Sequence, residues 1–267
     1  MTSLGLVTCA RPPPRESLAH LAAHQPPRDA ERDVADDGLS AVEHSSTLVP
    51  RRAVGETPGR AAGSLRGMPD RRFILTRHGR TTYNATHTLN GDPSVPVHLD
   101  EEGRLQVAAL RDRLAGEPVD LGVHTRFGRT AETLGILLEG RDVPRVECPD
   151  LDDVGLGDFE GATAGAYRAW RTALPQDARP PGGGESRVDA LVRYVRGFER
   201  LLASSARLPL VVTHDIPIRF LANALTGDDP LDGPVTAVAN ATEMVVAEPD
   251  FARAVAVMRG LVPPGVR

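Results

Sequence analysis

From residue 71 onward, short apolar runs alternate with stretches whose apolar residues recur at helical spacing, the pattern of an α/β domain. Phe73-Ile74-Leu75 is a compact buried-strand run, and it ends in Thr76-Arg77-His78-Gly79, where the chain must turn. Asp100 to Leu114 reads as a helix, with Asp100 as its N-cap and Leu105, Ala108, Ala109 and Leu114 near helical spacing. Val119 to Val123 is the next strand, followed by a helix from Arg129 to Leu138 and a strand from Val143 to Cys148. A Gly- and Asp-rich loop then runs from Asp150 to Gly161. After a Pro/Gly linker, Pro180 to Gly184, Ser186 caps a long helix that reaches Leu202. Leu208 to Thr213 is the most hydrophobic strand, and Pro217 suits the first turn of a helix running through Leu225. Met244 to Ala247 and Ala254 to Met258 read as edge strands, and no internal repeat is visible.

Residues 1–67 lack this pattern. All ten aromatic residues lie at or after Phe73, while the first 67 residues hold seven prolines, eight arginines and eight acidic residues. Such a segment cannot bury enough apolar surface to offset its ordering entropy, so we expect a disordered extension over 1–67 and a folded domain over 68–267. Its start has no cationic region, and its apolar run is broken by Thr8, Arg11 and three prolines, which argues against a secretory signal. Its acidic residues argue against an organellar transit peptide, and its balanced charge supplies no basic arm for nucleic acid. The folded region therefore carries the whole net charge of −5, a further argument against nucleic-acid binding.

With 267 residues, 40% of them hydrophobic, the chain is long enough for a sizeable core. It has no uninterrupted apolar run of the roughly 18 to 20 residues that a membrane span needs. All 31 basic residues are arginine, so Schiff-base chemistry and a Walker lysine are both excluded. Cys9 and Cys148 form no CxxC pair, which excludes a disulfide framework or a cysteine zinc site and points to a reducing, cytoplasmic setting. His87, His98 and His124 lack the spacing of a metal site.

Polar residues gather at the C-terminal ends of the expected strands, where an open α/β sheet binds ligands. Arg77-His78-Gly79 ends the first strand, Arg129 begins the helix after the second, and Thr213-His214-Asp215 ends the Leu208 strand. Together they describe an anion pocket, because guanidiniums grip a phosphoryl group with paired hydrogen bonds and helix N-termini add free backbone donors. An imidazole there can attack phosphorus and split one hard displacement into two easier ones.

Arg77-His78-Gly79-Arg80-Thr81-Thr82-Tyr83-Asn84 resembles the RHGxTxxN signature of the histidine phosphatase superfamily. Leu99 to Gln106, Arg126 to Thr133, Asp158-Phe159-Glu160-Gly161, Gly184-Glu185-Ser186 and Val211-Val212-Thr213-His214 resemble further family segments in the family's order, over about residues 71 to 247. The resemblance implies a three-layer α/β/α sandwich with a mostly parallel sheet, like that of the phosphoglycerate mutases. It also implies that His78 is the phosphorylated nucleophile and that Arg77, Asn84, Arg129 and His214 hold the phosphoryl oxygens, with no metal and no cofactor. The expected activity is hydrolysis of a small phosphomonoester. A mutase-type phosphoryl transfer and a non-catalytic phospholigand-binding module are the alternatives.

Three positions depart from the family pattern. Asp153 stands at the usual glutamate proton donor and is one methylene shorter, so it must come from a closer backbone or act through water. Arg80 replaces a common Glu or Gln and would bring extra positive charge beside the nucleophile. Asp215 follows His214 as in the acid phosphatase branch, where that aspartate is the donor, so it competes with Asp153 for the role. Tyr167 and Trp170, three apart on an expected helix, read as packing residues rather than as a substrate platform.

Met68 stands directly before the first strand. Protein beginning at Met68 is expected to melt within a few degrees of the full chain and to keep its kinetic constants. Thermal unfolding that collapses on removing residues 1–67 would refute the expectation.

Overall fold

Five strands form one sheet in the order β3-β2-β4-β1-β5, in a computed structural model that describes residues 71–265. The expected disordered extension, 1–67, lies outside the described residues. The strands are β1 (Arg72–Arg77), β2 (Leu121–His124), β3 (Arg145–Glu147), β4 (Pro209–Thr213) and β5 (Glu243–Ala247). Every pairing is parallel except β1 with β5. The helices are α1 (Thr82–Ala85), α2 (Glu101–Arg113), α3 (Gly128–Leu137), α4 (Ala164–Thr172), α5 (Arg187–Ala203), α6 (Asp215–Thr226) and α7 (Glu248–Gly260).

Successive strand residues point to opposite faces, and both faces are covered. Phe73, Leu75 and Val211 enter a core with α5, α6 and α7, through residues such as Tyr194, Phe198, Phe220 and Phe251. Ile74, Leu210 and Val212 enter a second core with Val107 and Leu110 of α2 and Leu134 and Leu137 of α3. This is the expected three-layer sandwich. The near-continuous apolar runs of β1 and β4 follow from it, because a strand buried on both faces has no solvent side to be polar.

The caps act as the sequence suggests. Asp100 accepts the Gly103 amide at 2.7 Å to start α2, and Ser186 forms a reciprocal capping box with Asp189 to start α5. The buried face of α2 is different from the expected one. Gly103, Val107, Leu110 and Leu114 point inward, Leu105 is 66% exposed, and Ala109 is exposed. The cause is a close approach: a Cβ on Gly103 would lie 2.0 Å from the Arg80 carbonyl oxygen. Only glycine lets α2 press on the turn after β1, and that contact sets which face turns inward.

Ala254 to Met258, expected as an edge strand, belongs to α7. Phe251, Ala254, Val255 and Met258 are buried at helical spacing, with Pro249 and two acidic residues in the first turn. The five-residue apolar run hides a period that shows only when Phe251 is included. Among the described residues no helix is long and apolar enough to cross a membrane.

Phe251 stacks on Phe73 with ring centroids 4.2 Å apart and meets Phe198 edge-on at 5.6 Å. Phe251→Ala is expected to cost about 3–5 kcal/mol in urea unfolding through the cavity it leaves. A loss below about 1 kcal/mol would contradict this packing.

Candidate active site

Chain connections diverge between β1 and β4. The chain leaves β1 toward β2 on one side and β4 toward β5 on the other, so their C-terminal ends form the sheet's switch point. Arg77 is paired with Thr213 there, and the His78 amide continues the ladder to the Thr213 carbonyl at 3.0 Å. His78 and His214 follow directly, and their ring centroids lie 5.4 Å apart.

His78 is almost fully buried. Its Nδ1 lies 2.8 Å from the Gly79 carbonyl oxygen, which can only accept, so Nδ1 carries the hydrogen and Nε2 presents its lone pair. Arg129 Nε donates to that lone pair at 3.0 Å. Burial, then the positive charges of Arg129 and Arg77, hold the imidazole pKa well below its usual value, so the ring is neutral. Asn240 donates to the His78 carbonyl at 2.8 Å, and Thr133 Oγ1 accepts the Gly79 amide at 3.0 Å.

Arg129, in the first turn of α3, is itself buried. Its Nη2 donates to Asp153 Oδ2 at 3.1 Å, to His214 Nδ1 at 3.2 Å and to the Asn90 carbonyl at 3.2 Å. Its Nη1 donates to Asn90 Oδ1, and the guanidinium lies 4.2 Å from the centre of the Phe127 ring. His214 Nε2 and Thr125 Oγ1 are 2.9 Å apart. With Arg129 donating to Nδ1, the His214 hydrogen sits on Nε2 and goes to Thr125. Burial and the Arg129 charge lower the His214 pKa well below its usual value too.

Asp153 Oδ2 lies 3.5 Å from His214 Nδ1, while Oδ1 accepts the Val154 amide at 3.0 Å. Burial pushes its carboxyl pKa up, Arg129 pulls it down, and the net direction is up. Arg77 donates to the Val238 carbonyl at 2.7 Å through Nη1, and its Nε is buried without a hydrogen-bond partner. Such an orphaned donor is costly unless a ligand atom satisfies it.

Three residues singled out in the sequence make their hydrogen bonds and ion pairs with partners other than His78 and Arg129. Asn84 hydrogen-bonds only within its own turn: its Oδ1 accepts from the Thr81 amide and hydroxyl as part of the α1 capping box, and it reaches neither His78 nor Arg129. Arg80 is neutralised by Asp100 and Glu102 at the start of α2, so it adds no free charge beside His78. Asp215 has both carboxylate oxygens engaged, Oδ1 by the Val238 amide at 2.7 Å and Oδ2 by Arg219 at 3.1 Å, while Oδ1 also lies 3.9 Å from Arg77 Nη1.

Sequence reasoning missed Asn90, Thr125 and Asn240, and gave Glu160 no role. Glu160 Oε1 accepts from Asn90 Nδ2 at 2.9 Å and Oε2 from the Gly91 amide at 2.7 Å, so Glu160 orients the residue that orients Arg129. The acid in Asp158-Phe159-Glu160-Gly161 was the one legible signal. Tyr167, Trp170 and Phe159 pack on one another as expected, with centroids 5.3 to 5.8 Å apart. Tyr167 and Trp170 also line a cavity of about 180 Å³ with Arg171, Arg187 and Asp232. Among the described residues no cluster of His, Cys, Asp or Glu is placed to hold a metal.

Residues 73–258 match the sequence profile of the histidine phosphatase superfamily (branch 1). The chain belongs to this family. It is 31% identical to the 2,3-bisphosphoglycerate-dependent phosphoglycerate mutase 2 of Gloeobacter violaceus, over 56% of this chain and 73% of the relative. It is 33% identical to the glucosyl-3-phosphoglycerate phosphatase of Mycolicibacterium vanbaalenii, over 59% of this chain and 75% of the relative. Among solved structures, a candidate α-ribazole-5′-P phosphatase of Escherichia coli superposes with a TM-score of 0.59 at 26% identity, covering 66% of this chain and 90% of that one.

The two histidines make stability pH-dependent. Below the ordinary histidine value of 6.5 the unfolded chain binds protons that the folded protein refuses, so stability is full above that value and falls as pH drops toward the depressed folded values. Asp153 has the opposite sign, because its raised pKa lets the folded state take up a proton first. Histidine NMR at pH 6 is expected to show neutral rings for both residues, and urea unfolding to show lower stability at pH 5.5 than at 7.5. A His78 ring that titrates at its ordinary value would contradict the geometry.

Proposed function

We propose that this protein is a phosphomonoester hydrolase acting on a small phosphorylated metabolite, with its catalytic domain over 68–267 and its place in a reducing cytoplasm. The reading is carried by the neutral Nε2 of His78, which has a guanidinium Nε at 3.0 Å, while a carboxylate lies 3.1 Å from another nitrogen of the same guanidinium. That arrangement sets a nucleophile, a charge clamp and an acid around one volume.

An incoming phosphoryl group takes over the Arg129 Nε donor and satisfies the orphaned Arg77 Nε. His78 Nε2 attacks phosphorus, the P–O bond to the alcohol breaks, and Asp153 gives its proton to the departing oxygen. Water then attacks the phosphohistidine. Asp153 takes the water proton, the N–P bond breaks, and its electron pair returns to His78. His214 donates nothing to the nucleophile; its bare Nδ1 accepts from Arg129 and its Nε2 hydrogen goes to Thr125, which fixes the guanidinium. The α1 cap uses the Asn84 Oδ1 and backbone amide, so its Nδ2 can donate to a phosphoryl oxygen without breaking the cap, as the family resemblance implies.

A mutase reading draws on the Gloeobacter relative, whose name states that activity. Two features disfavour it: only about 30 residues separate Asp153 from Gly184-Glu185-Ser186, and the chain has no lysine for the mutase lysine position. Release of inorganic phosphate from monoesters, without transfer from a bisphosphorylated donor to a second phosphoglycerate, separates the two activities. A non-catalytic binding module would bind phosphate and release none from p-nitrophenyl phosphate.

His78→Ala is expected to abolish turnover, and labelled substrate to leave acid-labile, base-stable phosphate on the wild-type protein only. Full activity in His78→Ala would end the proposal. Arg129→Ala is expected to lose roughly 10² to 10³ in kcat, the worth of one preorganised donor, and EDTA to change nothing.

The proton donor is read from the leaving group. Asp153→Asn is expected to lose roughly 10² to 10⁴ on an alkyl phosphate and far less on p-nitrophenyl phosphate, whose leaving group needs no proton. It should also lose the alkaline fall of kcat/KM that deprotonation of the acid imposes on the wild type. Asp215→Asn should show no dependence on the leaving group; the reverse pattern would move the donor to Asp215.

A further inference from the structure

Beneath the Asp153 loop, an ion pair is built into the fold that the mechanism does not use. Arg193, in α5, forms a two-pronged pair with Glu185, Nε to Oε1 at 2.8 Å and Nη2 to Oε2 at 2.6 Å. The rest of its guanidinium goes to backbone. Nη1 donates to the carbonyls of Asp152 at 2.9 Å and Asp150 at 3.2 Å, and Nη2 donates to the carbonyl of Asp153 itself at 3.0 Å. Glu185 completes the hold from the other side, with Oε2 accepting the Gly155 amide at 2.9 Å and its own amide donating to the Gly155 carbonyl at 2.7 Å. Backbone groups on both sides of the Asp153 side chain are thus tied to one pair.

Burying an ion pair does not by itself stabilise a fold, because desolvation offsets the attraction. What this pair does well is position. Its planar fork gathers four carbonyls, those of Pro149, Asp150, Asp152 and Asp153, at fixed angles, which a lysine ammonium cannot do. Positioning is what Asp153 needs: it is one methylene shorter than the glutamate common at this place, yet its Oδ2 comes within 3.1 Å of Arg129 and 3.5 Å of His214. A short side chain reaches that far only from a backbone held close.

We propose that Arg193 and Glu185 are positioning residues for the proton donor, drawing the 150–155 backbone toward the pocket so that an aspartate does the work of a glutamate. The inference rests on the reading of Asp153 as general acid. Displacing an acid by about 1 Å costs up to 10²-fold when its proton is needed and little when it is not.

The experiment compares kcat/KM for p-nitrophenyl phosphate and phenyl phosphate, a ratio that reports phosphorylation of the enzyme and not its later hydrolysis. Arg193→Lys is expected to lose about threefold or less on p-nitrophenyl phosphate and about tenfold to a hundredfold on phenyl phosphate. Adding Asp153→Glu to Arg193→Lys should recover part of the phenyl phosphate rate, because the longer arm spans the relaxed loop. Asp153→Glu alone should lower that rate, because the extra methylene is forced against Arg129 and His214. Equal losses of Arg193→Lys on both substrates, or no recovery in the double variant, overturn the proposal. If Arg193→Lys does not fold, Glu185→Gln, which keeps the shape and the amide acceptor, is measured instead, and an unchanged ratio there overturns it. Should Asp153→Asn itself show no dependence on the leaving group, the general-acid reading fails first, whatever Arg193 does.

Discussion

The buried guanidinium of Arg129 is the constraint around which the site is arranged. Removing such a charge from water is costly unless each of its donors finds a partner. Here every one of its nitrogens has one: Nε meets His78, Nη1 meets Asn90, and Nη2 is shared among Asn90, Asp153 and His214. Those partners come from separate stretches of chain, and the Phe127 ring covers the guanidinium 4.2 Å away. One charge therefore registers His78, Asp153 and His214 against each other.

The same charge governs protonation. Two imidazoles sit in its field, and burial acts in the same direction, so both stay neutral. For His78 that neutrality leaves the Nε2 lone pair free for the attack on phosphorus that we propose. The carboxyl of Asp153 is pulled both ways, and burial prevails, which raises its pKa above its ordinary value, the direction that the proposed proton donor needs. Keeping two buried histidines neutral lowers the stability of the folded protein on the acid side.

Around this centre the fold supplies fixed distances. The parallel pairing of β1 with β4 places the two histidines side by side at the switch point, and α2 presses on the turn after β1 through a glycine that no other residue can replace. The loops are held by side chains rather than by secondary structure. Glu160 fixes the Asn90 segment, Arg193 and Glu185 fix the Asp153 segment, and Asn240 fixes the His78 carbonyl. Loops tied in this way reach the precision that a charge clamp requires.

Much of this was legible in the sequence, for a local reason. Apolar runs flanked by turn residues, an Asp or Ser before a helical period, and an Arg-His-Gly at a strand end each express chemistry within a few residues, so the sheet strands, the caps of α2 and α5 and the pairing of His78, Arg129 and His214 followed from the chain alone. Only tertiary structure decided the rest. Which face of α2 is buried depends on how closely Gly103 meets Arg80, and Ala254 to Met258 is helical because Phe251 packs on Phe73. Arg80 and Asp215 carry the right chemistry at the right positions, yet each is claimed by partners, Asp100 with Glu102 and Val238 with Arg219, and Asn84 gives its Oδ1 to Thr81. A residue type states what a side chain can do; the partner that satisfies it lies up to tens of residues away, and only the folded chain brings that partner within hydrogen-bond reach.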